Sequence, residues 1–485
     1  MASLQKKYSQ EKLKGQIYTP YYIVDKILDD VGFNKPQILG KKILDPACGD
    51  GRFLEIIVKR ILKYSEKKNY KTNLEKIYGW DTDTEAIEIA KNKLNDIIKK
   101  YDLKINWNLK AKNSLYAENE KYDFIVGNPP YIRIQHLEQD QRAYIQQNYS
   151  FCQSGSTDIY IAFYQLAYRL LSENGICGYI TPNTFFNTET AKELRAFFIK
   201  NKNIKQLTNY ADIQLFNNAT TYSAITIFDK KTNNNFLFQM ALSEKTFEER
   251  KISFDEIKNQ KFWQLSVNKS NTKKGQRLGD ICNIHVGVTT LADKAYILKL
   301  IEEKEETLIL SSRLEGKIEL EKKICKPIIK ASLLKNGNEP ITEYILFPYK
   351  SESDKKIIIP EQELEKKYPL AYKYLLSVKD FLGKRDNGKP NKTAWYAFGR
   401  SQGLTTSFGK KILFSPMNKK PKFILSENAE ATFYSGYCIK YDGDYQKLLE
   451  KINSKEMEDY IKISARDFRG GWKAYNKKIV QEFLI

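Results

Sequence analysis

The first half of the chain alternates short apolar runs with longer segments in which apolar residues recur every three or four positions. The short runs are bounded by turn residues and predict strands at 43–46, 77–81, 105–109, 122–126, 176–180 and 222–228. The longer segments predict helices at 52–64, 85–100, about 158–172 and 190–198. This alternation favours an α/β fold with a mainly parallel, doubly wound sheet, whose last predicted strand belongs to a hairpin.

The pattern changes after the last of these strands. Two polar, turn-rich stretches, 229–235 and 269–276, mark the change, and the strand–helix alternation does not resume after them. We therefore predict a first domain at 10–235, a junction at 236–270 and a second, mixed α+β domain at 271–485. In the second domain, lysine and arginine runs interleave with aromatic residues.

Composition and charge narrow the possible functions. The chain has 485 residues, a length typical of two or three domains, and its 41% hydrophobic residues are enough for packed cores. The formal net charge is +21 and the isoelectric point is about 9.3. A protein this basic usually faces a polyanion, most often nucleic acid, although a solvated lysine-rich surface is the alternative.

The cysteines and histidines argue against a metal centre. The six cysteines form no CxxC pair, and the only histidines are His136 and His285. We therefore expect no metal and reduced cysteines, as in cytosolic proteins. No apolar run approaches the ~18 residues of a membrane span, and the chain does not start with an apolar signal segment. We expect a soluble, cytoplasmic protein.

The stretch ValGlyAsnProProTyrIleArg, residues 126–133, ends the predicted strand at 122–126. Two consecutive prolines cannot continue a strand, because each lacks the backbone N–H that a sheet needs. The residues after the strand are therefore held stiffly at the carboxyl edge of the sheet, where α/β proteins bind ligands. Asn128, Pro129 and Tyr131 are accordingly candidate site residues.

A second candidate site follows the first predicted strand. In LeuAspProAlaCysGlyAspGlyArgPheLeu (44–54), glycines open a helix and let backbone N–H groups approach a ligand. The second half of a dinucleotide-binding fingerprint is missing, because Leu54 stands where that motif has glycine. Asp45 instead favours a ligand with positive charge, such as an amino or sulfonium group. Asp81 ends the next strand, where an acidic residue can bind ribose hydroxyl groups.

Taken in order, these motifs resemble those of S-adenosylmethionine-dependent amino-methyltransferases. GlyGlnIleTyrThrProTyrTyrIleVal (15–24) resembles the motif that caps the methionine end of that cofactor, and the glycine motif and AsnProProTyr follow it. The order resembles the gamma-class DNA adenine-N6 methyltransferases of restriction–modification systems, the TaqI-like group, over about residues 10–230. Segments 285–295 and 395–402 resemble the C-terminal specificity domain of that group more diffusely.

The resemblance implies a catalytic domain at 10–235, a target-recognition domain at 271–485, and S-adenosylmethionine as the cofactor. The residues that it implies for cofactor binding are Tyr18, Thr19, Pro20, Asp45, Ala47, Cys48, Gly49, Gly51, Asp81, Thr82, Asn113, Ser114 and Asn128. Asn113 stands where many relatives have aspartate, so it can accept a hydrogen bond only as a neutral amide. The implied substrate is double-stranded DNA in the bacterial cytoplasm. We expect a monomer without a fused nuclease, because no extra segment precedes the cap motif. The enzyme would either have a cognate restriction endonuclease as a separate chain or be an orphan epigenetic methylase.

The AsnProProTyr motif has a chemical role on an adenine. The N6 lone pair is delocalised into the ring, so the amine is a poor nucleophile unless the Asn128 side-chain oxygen and the Pro129 carbonyl accept its two N–H bonds. Tyr131 would stack on the base, and the resemblance adds Phe216 as a second stacking ring. A duplex base reaches such a pocket only when it is flipped out, at a cost of a few kcal/mol.

Basic and aromatic residues of the second half are candidates for DNA contacts: Lys384, Arg385, Lys389, Lys392, Trp395, Tyr396, Arg400, Arg466, Arg469, Trp472 and Lys473. Two alternatives remain open. One is a methyltransferase that acts on an RNA base or on a protein glutamine, and the other is a noncatalytic DNA-binding subunit with a methylase-like fold. The basic C-terminal half argues against the protein substrate, and the intact motifs argue against the noncatalytic subunit.

Overall fold

The structure, a computed structural model, describes residues 19–117, 120–153, 157–216, 222–267, 275–353, 355–465, 467–468 and 470–485. The chain divides into two compact units, Met1–Asn271 and Thr272–Ile485. Among the described residues, no helix has both the length and the apolar character needed to cross a membrane. The same part of the chain contains no group of three or more His, Cys, Asp or Glu residues that could hold a metal ion.

A mixed sheet with flanking helices forms the first unit. Its strands are β1 (Ile43–Asp45), β2 (Ile77–Asp81), β3 (Asn108–Ala111), β4 (Tyr122–Gly127), β5 (Leu171–Pro182), β6 (Ile204–Asn209), β7 (Ser223–Asp229), β8 (Asn235–Ala241) and β9 (Phe247–Ser253). Its helices are α1 (Tyr21–Asp30), α2 (Arg52–Tyr64), α3 (Tyr70–Leu74), α4 (Thr84–Ile98), α5 (Gln139–Asn148), α6 (Tyr160–Leu170), α7 (Lys192–Asn201) and α8 (Phe254–Ile257).

All nine of these strands lie in one sheet, in the order β3-β2-β1-β4-β5-β7-β6-β8-β9. The pairing is parallel from β3 to β5, whereas β7 runs antiparallel to both of its neighbours. The strand order reverses between β1 and β4. In open α/β sheets, ligands bind outside the carboxyl ends of the strands at such a switch point.

Two hydrophobic cores hold the helices against this sheet. One contains residues of α1, α2 and α4, such as Ile27, Leu54 and Leu94, and the other contains residues of α6 and α7, such as Tyr164 and Phe198. β1 and β7 are buried along their whole length. This is expected for strands that are covered on both faces, and it explains why they are continuous apolar runs in the sequence.

The predicted doubly wound α/β fold is confirmed, with shifts at element ends. The strand predicted at 105–109 is observed at Asn108–Ala111, and the strand predicted at 176–180 extends over Leu171–Pro182. The polar residues at the start of this longer strand lie at an irregularity in its pairing with β4, where the register shifts between Tyr122 and Phe124. A local hydrophobic pattern cannot detect a strand that begins in this way.

The segment predicted as a junction, 236–270, belongs to the first unit instead. β8 pairs in parallel with β6, and β9 pairs antiparallel with β8. Phe236 and Phe238 alternate along β8 and are buried in the same core as α7. The turn-rich residues at 229–235 therefore connect two strands of one sheet. The prediction of a junction was wrong here, because composition does not distinguish such a loop from a linker.

The second unit is the predicted mixture of helices and strands. Its strands are β10 (Asn283–Val286), β11 (Ile297–Glu303), β12 (Thr307–Ser312), β13 (Gly316–Glu321), β14 (Cys325–Lys330), β15 (Glu343–Leu346), β16 (Tyr349–Glu352), β17 (Lys355–Ile358), β18 (Lys411–Phe414), β19 (Met417–Asn418), β20 (Phe423–Ser426), β21 (Thr432–Tyr434), β22 (Tyr437–Lys440), β23 (Asp467–Phe468) and β24 (Trp472–Ala474). Its helices are α9 (Leu278–Ile281), α10 (Asp293–Tyr296), α11 (Glu361–Lys367), α12 (Pro369–Ser377), α13 (Lys379–Gly383), α14 (Tyr445–Ile452), α15 (Lys455–Ser464) and α16 (Lys477–Val480).

Small sheets build this unit instead of one large sheet. The orders are β13-β12-β11-β15-β14-β21, β10-β22-β18-β20, β19-β24-β23 and β16-β17. One core joins the six-stranded sheet to α12 and α13, and another joins the four-stranded sheet to α14 and α15. β10 is therefore an edge strand, paired only with β22 among the described strands.

The position of β8 in the sheet leads to a test of stability. Phe238→Ala removes a fully buried ring and should lower the free energy of unfolding by about 3–5 kcal/mol. Leu242→Ala, just beyond the same strand at a side chain that is 62% exposed, should change it by less than about 0.5 kcal/mol. Denaturant unfolding of the purified protein measures both values. Equal, small effects would mean that β8 does not pack on the sheet.

Candidate functional site

A cavity of about 610 Å³ opens at the carboxyl ends of β1, β2 and β4. Its volume lies in the ~300–1,000 Å³ range typical of small-molecule and cofactor sites. Most of the residues predicted to bind a cofactor line it: Thr19, Asp45, Ala47, Cys48, Gly49, Asp81, Thr82, Asn113, Ser114 and Asn128. The strand ends thus bring together motifs that are far apart in the sequence.

Asp81 ties together the loops that follow β1 and β2. The backbone N–H of Gly49 donates to Asp81 Oδ2 at 2.9 Å, and the backbone N–H of Asp83 donates to Asp81 Oδ1 at 2.9 Å. A carboxylate has about four acceptor sites, so both oxygens can still accept hydrogen bonds from a ligand. The side chain is held in place before any ligand arrives.

Asp45 is almost completely buried, at 1% exposure, beneath the backbone of β4. Its Oδ1 accepts a hydrogen bond from the Ala47 N–H at 3.1 Å. A Cβ atom at Gly127 would lie only 2.6 Å from the same oxygen, so the backbone next to Asn128 packs directly on this carboxyl group. Burial and, to a smaller extent, the negative charge of Asp81 raise the pKa of Asp45 to about 8.

Asn128 follows β4 and faces the segment before α1. Its Nδ2 donates a hydrogen bond to Thr19 Oγ1 at 3.1 Å, and Thr19 is itself 3% exposed. Because the nitrogen and oxygen of an amide point to opposite sides, this bond selects the orientation of the whole Asn128 amide group. Pro129 is buried, and Pro130 lines the cavity beside Asn128.

The two aromatic rings predicted to stack on a base do not line this cavity. The Tyr131 hydroxyl donates to the Ile180 carbonyl oxygen at 3.3 Å, and its ring lies edge-on to Tyr160 at 6.3 Å. Phe216 is 3% exposed and belongs to the hydrophobic core that contains α1 and α2. The residues just after Phe216, 217–221, lie outside the described part of the chain.

Two predicted cofactor residues have structural positions outside the cavity lining. Pro20 immediately precedes α1. Gly51 precedes α2 at a φ of +90°, and a Cβ atom there would lie 2.9 Å from the Ala90 Cβ of α4. Gly51 therefore permits close packing of two helices, and its role in cofactor binding stays a prediction. Tyr18, Arg466 and Arg469 lie outside the described residues.

An apolar wall of the cavity was not predicted from the sequence. It consists of residues that flank α5 and lie near or in α6: Pro130, Ile132, Leu137, Ile159 and Phe163. Antiparallel hydrogen bonds join the two segments, since the Ile134 N–H donates to the Thr157 oxygen and the Ile159 N–H donates to the Ile132 oxygen. The only local signal was that Ile132 directly follows AsnProProTyr.

Lys112 is a further cavity residue that sequence reasoning missed. Its ammonium group lies 3.7 Å from the centre of the Trp80 ring, and its backbone N–H donates to the backbone carbonyl oxygen of Asp81 at 2.7 Å. The neighbouring Asn113 accepts the Leu115 N–H at 3.0 Å and thereby caps a short turn. This turn presents Lys112, Asn113 and Ser114 together to the cavity.

In the second unit, the predicted DNA-contacting residues differ in their exposure and in their contacts. Arg385 donates to the carbonyl oxygens of Trp395 and Ala397, and Tyr396 is 2% exposed and donates to the Ile359 oxygen. These two residues stabilise the fold. Exposed positions are occupied by Lys384, Lys389, Lys392, Arg400 and Trp472, whereas Trp395 and Lys473 are half-buried. Arg400 forms an ion pair with Asp386 at 3.3 Å.

The comparisons with known proteins match residues 64–216 to the Eco57I restriction-modification methylase family. The chain is 25% identical to the Type II restriction enzyme and methyltransferase RM.Eco57I of Escherichia coli, over 96% of this chain and 56% of that protein. It is 29% identical to the Type II methyltransferase M.BstVI of Geobacillus stearothermophilus, over 48% of this chain and 45% of that one. The chain thus spans about half the length of these two relatives.

Two further similarities cover most of the chain. The Type II methyltransferase M.BanIII of Aneurinibacillus aneurinilyticus is 26% identical over 91% of this chain and 82% of its own length. The solved structure of the Type IIL restriction-modification enzyme MmeI in complex with DNA superposes with a TM-score of 0.60 at 13% identity, over 97% of this chain and 64% of that one. The second similarity shows a common fold.

The raised pKa of Asp45 predicts a specific dependence of stability on pH. In the folded protein Asp45 binds a proton up to about pH 8, whereas in the unfolded chain it loses that proton near pH 4. Its contribution to the free energy of unfolding should therefore fall by about 1.4 kcal/mol per pH unit between pH ~4 and ~8, and stay constant above. Asp45→Asn, which keeps the acceptor for Ala47, should remove this slope.

Unfolding free energies of wild type and Asp45→Asn, measured across this pH range, test the prediction. The difference between them should grow in favour of the variant as pH rises towards 8. Parallel pH profiles would mean that Asp45 is ionised in the folded protein.

Proposed function

We propose that this chain, a restriction–modification methylase by its matched domain at residues 64–216, transfers a methyl group from S-adenosylmethionine to the N6 amino group of a flipped-out adenine in double-stranded DNA. The observation that carries the proposal is that Asn128 lines the same cavity as the glycine turn and Asp81. The side chain that would accept hydrogen bonds from an amine, Asn128, therefore lies beside the residues that would bind a nucleoside cofactor. The net charge of +21 favours a nucleic-acid substrate.

The residues of the cavity suit S-adenosylmethionine. Asp81, preset by Gly49 and Asp83, would accept hydrogen bonds from ribose hydroxyl groups. The buried Asp45 carboxyl favours a cationic ligand, because a positive charge nearby stabilises its ionised form in a dry environment. The cofactor, when bound, supplies a methyl group made electrophilic by its sulfonium sulfur.

Asn128 would act on the amine that receives the methyl group. The Asn128 side-chain oxygen and the Pro129 carbonyl would accept the two amine N–H bonds, which draws the nitrogen lone pair out of the aromatic ring. The rigid proline pair and the bond to Thr19 hold these acceptors in place in advance, so little reorganisation is needed during the reaction. Once its lone pair has taken the methyl group, the N6 nitrogen would be positively charged and would lose one of its two protons to water, so the scheme needs no general base.

The defining experiment is a product analysis with the purified chain. Unmodified duplex DNA and S-adenosylmethionine are incubated with it, the DNA is digested to nucleosides, and methylated nucleosides are identified by mass spectrometry. N6-methyladenine is expected, and modified-base sequencing of the same DNA then gives the sequence context. N4-methylcytosine would move the target to the other exocyclic amine, and the absence of any methylated base would contradict the proposed activity.

Asn128→Ala should lower kcat by at least about 10²-fold, because it removes an acceptor that acts on the reacting nitrogen. Duplex binding should stay within about tenfold of wild type, since the contact is with the amine and not with the duplex. Single-turnover methyl transfer and fluorescence anisotropy measure the two quantities. Substantial turnover by the variant would remove Asn128 from the catalytic role.

Thr19→Val and Thr19→Ser test the orientation of Asn128 as a matched pair. Valine keeps the shape but lacks the acceptor, so kcat should fall about fivefold, equivalent to roughly 1 kcal/mol. Serine keeps the hydroxyl oxygen and should retain most of the wild-type kcat. Equal losses in both variants would assign the effect to packing of the Thr19 methyl group. Titration with S-adenosylhomocysteine separates any loss of cofactor affinity from the change in kcat.

A further inference from the structure

The second unit contains a cavity of about 360 Å³ beside the edge strand β10. His285 of β10 lies on one side, and the loop at 401–406 and Lys477 of α16 complete the lining. None of these residues belongs to the site in the first unit.

The polar side chains that line this cavity are mainly hydrogen-bond donors. Ser401, Gln402, Thr405 and Thr406 provide hydroxyl and amide groups, and no Asp or Glu is found among the described residues that line it. Hydroxyl, amide and lysine side chains are the groups with which proteins hold the phosphates of DNA. A binding site for a cation would instead need carboxylates or converging carbonyl oxygens.

One end of the loop is fixed to the segment that follows β10. The Gly399 N–H donates to the Thr290 oxygen at 2.9 Å, and the Gln402 side chain donates to Thr289 Oγ1 at 3.2 Å. Gly403 has a φ of +77°, and a Cβ atom there would lie 2.7 Å from the backbone of Gly287. The loop can approach this closely only with glycine at position 403.

Two lysines hold the other end of the loop. Lys440 donates to the carbonyl oxygens of Phe408 and Lys410, the second at 3.0 Å. Lys411 is fully buried and donates to the Gly409 and Ala431 oxygens, both at 2.8 Å. The loop is therefore ordered in the unliganded protein, which reduces the entropy that a ligand would otherwise have to overcome.

The positive charges around the cavity lack a counter-charge. Burial and the positive charges of Lys477 and Lys440 lower the pKa of His285. Among the described ion pairs, none includes Lys477 or Lys440. A bound anion would supply the negative charge that these lysines lack.

We infer that this cavity binds a backbone phosphate of double-stranded DNA, with Lys477 as its cation and the hydroxyl groups of Thr405 and Thr406 as neutral donors. The inference rests on the proposed function for the identity of the polyanion, and it adds a place where the second unit holds DNA independently of sequence. Base-edge reading is the weaker alternative, because it needs amide or guanidinium forks. Among the described residues that line the cavity, only Gln402 has such a side chain, and its amide already donates to Thr289.

A matched pair of lysine variants tests this phosphate site in the full-length protein. Lys477→Ala removes the cavity cation, whereas Lys478→Ala removes an equally exposed charge on the next residue, which does not line the cavity. Fluorescence anisotropy measures the affinity for duplex DNA over a series of salt concentrations. Each duplex is used in two versions, one with and one without the motif that the wild-type protein methylates.

Lys477→Ala should lower duplex affinity about fivefold at ~0.15 M salt and reduce the slope of log K against log salt by about 0.9, equally for both duplexes. Lys478→Ala should change both quantities much less. Gln402→Ala should leave the ratio of affinities for the two duplexes unchanged. Unfolding curves that match wild type exclude a folding defect in any of the variants.

Three results would overturn the inference. Equal effects of the two lysine variants would show that Lys477 contributes only general surface charge. A loss confined to the duplex with the motif, in Lys477→Ala or Gln402→Ala, would assign the cavity to base reading. A wild-type protein that binds no duplex at all would overturn both the phosphate site and the DNA substrate of the proposed function, whereas intact wild-type binding with an unchanged Lys477→Ala overturns the phosphate site alone.

Discussion

The buried carboxyl group of Asp45 is the constraint around which the site of the first unit is built. It lies at the end of β1, where this strand pairs with β2 on one side and β4 on the other. The backbone of Gly127 packs so closely on its oxygen that only glycine fits there, and this contact sets the path of β4 into Asn128. A carboxyl group in so dry a place is costly to ionise, and a ligand that brings positive charge would lower that cost.

Hydrogen bonds between the loops around Asp45 hold these loops in place. Asp81 accepts N–H bonds from the glycine turn and from its own loop, and Thr19 receives the amide of Asn128. The bonds from Gly49 and from Asn128 join segments that are far apart in the chain, because these segments follow different strands or precede a helix. In the proposed function, the acceptors for the cofactor and for the amine are thereby preset at the switch point of the sheet, which would lower the reorganisation needed for methyl transfer.

The second unit uses a buried lysine in a related way. Lys411 is surrounded by carbonyl oxygens of two loops, and burial together with the charge of Lys440 lowers its pKa to about 8. Such a lysine is stabilising only while its N–H groups are matched to acceptors, because an unpaired buried charge is expensive. The loop at 401–406 is held next to this arrangement, and its exposed hydroxyl groups line a cavity together with the Lys477 side chain.

The sequence by itself determined the alternation of strands and helices, the points at which β1, β2 and β4 end, and a core of the residues that line the first cavity, among them Asp45, Asp81 and Asn128. Strand ends and glycine turns depend on local backbone constraints, namely the missing N–H of proline and the missing Cβ of glycine, which can be identified without a structure. Only the tertiary structure decided which side chains are accessible. Phe216 and Tyr396 are buried, and Arg385 donates hydrogen bonds to backbone carbonyl oxygens. β8 is a strand of the large sheet, whereas the sequence pattern predicted a linker there. Burial and strand pairing depend on residues that are distant in the chain, so a local pattern of apolar and charged positions could not distinguish these alternatives.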